Sequence, residues 1–208
     1  MLQLESPVVD RPVSQVPPHR GGFRPREYAH VVFQTGQPQA LSDWYCAVLG
    51  MQPVMVHPLI RFLTWDDSQD RLAIITAAGA KPRSSEGAGF HHVAFSVNSL
   101  KELVGQYRFL KSRGIEPHQC MNHGVATSMY YRDPDGNQIE LSVEAFGSVE
   151  ALNEWLATGA FDANPVGIPL DPEELTRRVE SGEDERALLR PAPDHAERLA
   201  RTIAEMKV

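Results

Sequence analysis

Tyr130-Tyr131-Arg132-Asp133-Pro134-Asp135-Gly136-Asn137-Gln138-Ile139-Glu140-Leu141-Ser142 reads as strand, tight turn, strand. Pro134 fixes φ, Gly136 supplies positive φ, and the Asp side chains at 133 and 135 cap the turn locally. Past the turn, Gln138, Glu140 and Ser142 alternate with Ile139 and Leu141. In a strand, that puts the Glu140 carboxylate on the face opposite the two aliphatic residues. A carboxylate held there needs water, a cation or a partner.

Working outward from this hairpin, the chain repeats itself. Upstream of it, Phe90-His91-His92-Val93-Ala94-Phe95 reads as a strand. Ser99-Leu100-Lys101-Glu102 is a capping box that opens a helix with an apolar stripe of Leu100, Leu103, Val104, Tyr107 and Leu110, closed by Gly114. Strands follow at 116–121, 126–132 and 138–143. The same order occurs earlier, with a strand at Tyr28–Phe33, a helix from Gln39 to Leu49 stopped by Gly50, and strands at 52–57, 60–65 and 71–76. His30-Val31-Val32-Phe33 matches His92-Val93-Ala94-Phe95, and Leu72–Thr76 matches Gln138–Ser142, an alignment that sets Ile74 opposite Glu140.

The expected organisation is an extended Pro-rich arm over 1–27, a domain over 28–145 and a helical extension over 146–208. The domain is made of modules at 28–77 and 90–145, with a Gly, Pro and Ser-rich connector between them. In the extension, Ser148 caps a helix through Trp155 and Leu156, residues 163–169 read as irregular, and Asp171-Pro172-Glu173-Glu174 starts a helix that ends near Gly182. A last charged helix is expected over 194–206. The helical tail suggests self-association. A net charge of −7 argues against a nucleic-acid or anionic-membrane surface, and no apolar run approaches the ~20 residues of a membrane helix. Cys46 and Cys120 form no disulfide framework and read as reduced, packed thiols, which fits a cytoplasmic protein.

The repeat places His30 and His92 at equivalent positions, with Glu140 on the last strand of the second module. If the modules pair about a pseudo-twofold axis, the three side chains converge. Two His and one carboxylate are the facial triad of non-heme Fe(II), which leaves coordination positions open. Taken singly, each has a plainer reading as a half-buried polar residue. His91 is expected on the other strand face from His92, and His57 and His118 at exposed edges.

The paired strand-helix-three-strand modules, the His-Val-x-Phe strand starts and the Asp-Pro-Asp-Gly-Asn-x-Ile-Glu-Leu ending resemble the vicinal oxygen chelate (glyoxalase/bleomycin resistance/dioxygenase) superfamily over residues 28–143. Within it the chain resembles the one-domain type I extradiol ring-cleavage dioxygenases. Residues 163–167 also look like the C-terminal extension of some members. The resemblance implies an α+β fold, with two βαβββ modules pairing into a partly open β-barrel around a metal site and a helical C-terminal extension. It implies Fe(II), with Mn(II) as a substitute, on His30, His92 and Glu140. A catechol and O2 would be substrates, Tyr130 would approach a catecholate oxygen, and His123 would be a further active-site residue. Where many members carry two His, the second an acid/base group, this chain has Gln69-Asp70. Aspartate is a much weaker base than histidine, so Asp70 in that role puts the reaction type in question.

The rivals share the fold. A glyoxalase-like isomerase or lyase generally uses a fourth, carboxylate ligand on the last strand of the first module, where the alignment places aliphatic Ile74. Metal-free binding modules lack the triad, and keeping His30, His92 and Glu140 buried without a metal would leave polar groups unsatisfied at ~1–3 kcal/mol each. A fosfomycin-resistance type transferase would want a cluster of Arg and Lys, and none lies near the motifs.

Overall fold

The computed structural model describes residues 25–81 and 88–190. The first module runs β1 (Val31–Thr35), α1 (Pro38–Leu49), β2 (Gln52–Val56), β3 (Ile60–Thr64) and β4 (Leu72–Thr76). The second runs β5 (His92–Ser96), α2 (Leu100–Lys111), β6 (Gln119–Asn122), β7 (Ala126–Arg132) and β8 (Gln138–Glu144). After it come α3 (Val149–Leu156), α4 (Ala160–Ala163), β9 (Ile168–Pro169), α5 (Pro172–Glu180) and α6 (Glu185–Leu189). The expected arm falls outside the described residues except at its end, and the expected last helix over 194–206 falls wholly outside them.

The fold is mixed α+β, as expected. Its strands form two separate sheets, ordered β1-β4-β3-β2 and β5-β8-β7-β6-β9, and the two are not closed into one barrel. In each module the first and last strands run parallel and the last three form an antiparallel meander. The parallel pairs require a crossover, which α1 and α2 supply.

Each helix begins and ends where local chemistry dictates. Pro38 occupies the first turn of α1, and Gly50 ends it in the left-handed region at φ 64°. Ser99 Oγ accepts from Glu102 N at 3.1 Å, and the Glu102 carboxylate reaches back to accept from Asn98 N at 2.9 Å, a close variant of the capping box. The α2 stripe of Leu100, Leu103, Val104, Tyr107 and Leu110 is buried against Met129, Tyr131, Leu141 and Val143. The α1 residues Leu41 and Tyr45 pack with Phe33, Leu63, Leu72, Ile74 and Ile139.

The β7–β8 turn is tied from all sides. Asp133 Oδ1 accepts from Asp135 N at 2.9 Å and from Asn137 N at 2.8 Å. Asn137 Nδ2 and Tyr45 OH donate to Asp133 Oδ2 at 2.8 and 3.0 Å. Burial pushes the Asp133 carboxyl above its ordinary range, against the lowering effect of those donors. Tyr45 belongs to the first module, so the turn also joins the modules.

Several expectations are corrected. The first strand spans Val31–Thr35, so His30 lies one residue ahead of it. Residues 168–169 are not irregular but add a short strand beside β6, pairing Asn122 with Ile168 and Met121 with Pro169. The alignment of Ile74 with Glu140 is off by one. In the ladders Glu140 pairs Ala94 and Ala73 pairs Val32, so Ala73 is the equivalent of Glu140. Ile74 pairs Phe33 and is fully buried on the helix side. A slip of one residue exchanges the two faces of a strand.

Candidate metal and substrate site

Glu140 lies in the middle of β8, between β5 and β7, opposite Ala94 on one side and Tyr130 on the other. It is 7% exposed. Its Oε2 stands 2.8 Å from His92 Nε2. The other ring nitrogen of His92, Nδ1, stands 2.6 Å from His91 Nδ1. The expectation that His91 turns to the opposite face is thus corrected. β5 begins at His92, so strand alternation does not govern His91, and the two rings meet edge to face at 4.9 Å. His57 is exposed as expected.

Next to this pair, Tyr130 OH lies 2.9 Å from His123 Nε2, and His123 Nδ1 lies 2.6 Å from the Val166 carbonyl. A carbonyl only accepts, so His123 Nδ1 carries hydrogen and donates to it. In the neutral ring, Nε2 then holds a lone pair and accepts from the Tyr130 hydroxyl. The Tyr130 hydroxyl is pushed up to about 12, first by burial and then by the neighbouring Glu140 charge. It therefore keeps its proton at neutral pH.

Val166 was not legible as a site residue. It reaches His123 because Gly167, at φ +92°, lets the chain pass against the end of β6, where a Cβ would stand 2.4 Å from the Asn122 carbonyl oxygen and 2.7 Å from His123 Cα. Asn164 Oδ1 accepts from Gly167 N at 2.9 Å and holds that bend. The sequence signal there was the likeness of residues 163–167 to the C-terminal extension of some family members.

His30 and Asp70 lie together elsewhere, with His30 Nδ1 3.0 Å from Asp70 Oδ2. That oxygen is buried and without an aligned hydrogen-bond partner. Contact through Nδ1 presents Nε2 as the ring's remaining donor atom, the arrangement in which a carboxylate orients a metal-ligating histidine. The structure thus brings His92, Glu140, Tyr130 and His123 into one cluster, and His30 and Asp70 into another. Among the described residues, no three His, Cys, Asp or Glu side chains stand together as a group able to hold a metal ion.

The donor types nonetheless suit a divalent ion. Two ligands at about 2.1 Å from one ion and at a right angle hold their donor atoms about 3.0 Å apart, close to the His92–Glu140 separation. Imidazole and carboxylate are also the donor set of non-heme iron. At the position equivalent to Glu140 the first module offers only the methyl group of Ala73, so it adds no fourth ligand.

Residues 27–141 match the glyoxalase/bleomycin resistance protein/dioxygenase superfamily. The chain is 38% identical over 157 residues to biphenyl-2,3-diol 1,2-dioxygenase 2 of Rhodococcus globerulus, covering 75% of this chain and 83% of that one. It is 35% identical over 162 residues to biphenyl-2,3-diol 1,2-dioxygenase 3 of the same organism, covering 77% and 85%. A glyoxylase/bleomycin resistance protein/dioxygenase domain from Frankia sp. EAN1pec superposes with a TM-score of 0.52 at 15% identity, covering 60% of this chain and 96% of that one, a likeness of fold alone.

Proposed function

The chain belongs to the glyoxalase/bleomycin resistance protein/dioxygenase superfamily, and we propose that it is an Fe(II)-dependent extradiol dioxygenase that opens the ring of a catechol-type diol with O2. The observation that carries this reading is the cluster on β5, β7 and β8. It sets a His–carboxylate pair, His92 and Glu140 at 2.8 Å, beside a proton-handling pair, Tyr130 and His123 at 2.9 Å. The similarity to two biphenyl-2,3-diol dioxygenases directs the choice of diol toward 3-substituted catechols.

In this reading His30, His92 and Glu140 hold the ion. When bound, Fe(II) supplies open positions for both catechol oxygens and for dioxygen, and the redox capacity to couple them. The chain's own residues do the rest. Tyr130, protonated at neutral pH, has one hydroxyl proton, which points to His123 Nε2 in the free site and turns to a substrate oxygen to orient it when the diol is bound. His123 Nε2, kept as an acceptor by the Val166 carbonyl on Nδ1, takes a proton from the diol and returns it at ring opening. Asp70 acts on the ring of His30 rather than on the substrate, which accounts for an aspartate where many relatives carry a histidine. Ala73 at the fourth-ligand position disfavours the glyoxalase-like isomerase.

The test is anaerobic loading with Fe(II), then addition of oxygen and 2,3-dihydroxybiphenyl, 3-methylcatechol or catechol. The expected result is about one iron per chain, oxygen uptake and a yellow ring-opened product. No oxygen uptake by iron-loaded protein across this panel overturns the reading.

A further inference from the structure

Along β7, alternate side chains turn to opposite faces of the sheet. Ser128 and Tyr130 share the face of the candidate site, while Thr127 turns with Met129 and Tyr131 toward the helices. Thr127 is 1% exposed, and its Oγ1 is buried without a hydrogen-bond partner. Buried polar groups in native proteins are nearly always partnered, so this hydroxyl calls for a partner from outside the chain. Thr127 lines a cavity of about 620 Å³ on this reverse side of the sheet, walled also by β9, α5 and α6. That volume lies within the roughly 300–1,000 Å³ of small-molecule sites. Asn122, the ladder partner of Thr127, ties the wall to the sheet. Its Nδ2 donates to the Leu189 carbonyl at 3.3 Å, and its Oδ1 accepts from Gly124 N at 2.8 Å.

Most charged groups around the cavity already have work. Asp171 Oδ1 accepts from Glu173 N at 2.9 Å, Asp184 Oδ1 accepts from Arg186 N at 3.2 Å, and Glu174 pairs with Arg177. Arg178 donates through Nε and Nη2 to Glu183 at 2.9 and 2.8 Å. The side chains of Arg186 and Arg190, which also line the cavity, have no hydrogen-bond or ion-pair partner among the described residues. Elsewhere the wall is apolar, with Ile168, Leu170, Leu175 and Leu188. Asp171, Glu174 and Asp184 oppose a doubly charged anion by plain repulsion. A single carboxylate suits a guanidinium fork, which it can accept from in bidentate fashion.

We infer that this cavity is a second binding site, for a small monocarboxylate that carries another oxygen on an apolar body. Arg186 and Arg190 take the carboxylate, the leucine and isoleucine wall takes the body, and the Thr127 hydroxyl pairs with the second oxygen. The site shares no residue with the candidate metal and substrate site, so its failure leaves the dioxygenase reading untouched.

The test titrates 4-hydroxybenzoate, benzoate and inorganic phosphate by calorimetry into the full chain and into its Glu140→Ala variant. The expected result is saturable binding of 4-hydroxybenzoate by both, several-fold tighter than that of benzoate, with phosphate weakest. Arg186→Gln combined with Arg190→Gln, at exposed positions, lowers the affinity for both acids on the order of tenfold or more. Thr127→Val keeps the shape and removes the hydroxyl. It brings 4-hydroxybenzoate down to the benzoate affinity and leaves benzoate unchanged, and that retained binding shows the cavity intact. No saturable binding at millimolar concentration overturns the inference, as does phosphate bound more tightly than benzoate. Affinity unchanged by loss of both arginines, or 4-hydroxybenzoate affinity unchanged in Thr127→Val, overturns it as well. Binding lost in folded Glu140→Ala protein places the acids at the metal site and overturns it too.

Discussion

Tyr130 and Glu140 face each other across the β7–β8 ladder, and the chemistry of each is set by the other and by burial. Loss of water disfavours a phenolate, and the neighbouring carboxylate disfavours it further, so Tyr130 acts as a donor and not as a base. Tyr130→Phe removes that donor while leaving all three proposed ligands in place. The expected outcome is unchanged iron content and a fall in kcat on the order of 10²-fold, measured on iron-loaded protein with a 3-substituted catechol. The same variant has a signature in stability. The folded value of about 12 lies above the ordinary Tyr value of 10.0, so the folded state holds this proton more tightly. Its contribution is complete below pH 10 and is lost as pH rises toward 12. Unfolding free energy measured against pH falls less steeply in that window for Tyr130→Phe than for wild type.

The strap from Asn164 to Pro169 is the element that joins the C-terminal extension to the site. It pairs with β6 through Ile168 and Pro169, and its Val166 carbonyl sets the tautomer of His123. The strap passes so near β6 because residue 167 has no side chain. An added Cβ would meet backbone, which has no flexible end to move aside, at a φ that L residues rarely adopt. Gly167→Ala is expected to destabilise the fold by more than about 1 kcal/mol and to lift the strap from β6. His123 then loses its Nδ1 acceptor, so kcat falls while iron content holds. Thermal melting, metal analysis and turnover read these separately. Equal loss of iron and turnover would mean that the strap supports the ligands themselves. α5 has a different task. It packs on α2, where Tyr107 OH donates to Glu173 at 2.6 Å and Lys111 pairs with the same carboxylate, so it braces the second module at a distance from the cluster.

At the scale of the whole molecule, the modules are joined through α1. Tyr45 OH reaches Asp133 at 3.0 Å, Gln106 Nε2 donates to the Val48 carbonyl at 2.8 Å, and Ile139 packs among first-module side chains. Among the described residues no helix is long and apolar enough to cross a membrane. An ion bound only by the folded protein stabilises it by mass action, about 2.7 kcal/mol when free metal is a hundredfold above its dissociation constant. Chelation of iron-loaded protein is therefore expected to lower Tm. Calorimetry with and without chelator reads the effect.

What was legible from residues alone was periodic or local. The repeat, the capped helices, the Asp-Pro-Asp-Gly turn and the strand alternation that sets Glu140 on the face opposite Ile139 and Leu141 depend on neighbours a few positions apart, and side-chain chemistry encodes them directly. The pairing of Ala73 rather than Ile74 with the Glu140 position came from the hydrogen-bonded ladders, because an alignment of aliphatic residues tolerates a slip that a ladder does not. The Val166 carbonyl on His123 and the carboxylate of Asp70 against His30 join residues about forty or more positions apart. Such contacts follow from how modules pack, and packing is decided by the summed burial of many side chains rather than by any motif. The sequence by itself thus determined the modules and the candidate donors. Only the tertiary structure decided which donors meet within one chain, because that depends on how the two modules pack and not on either repeat alone.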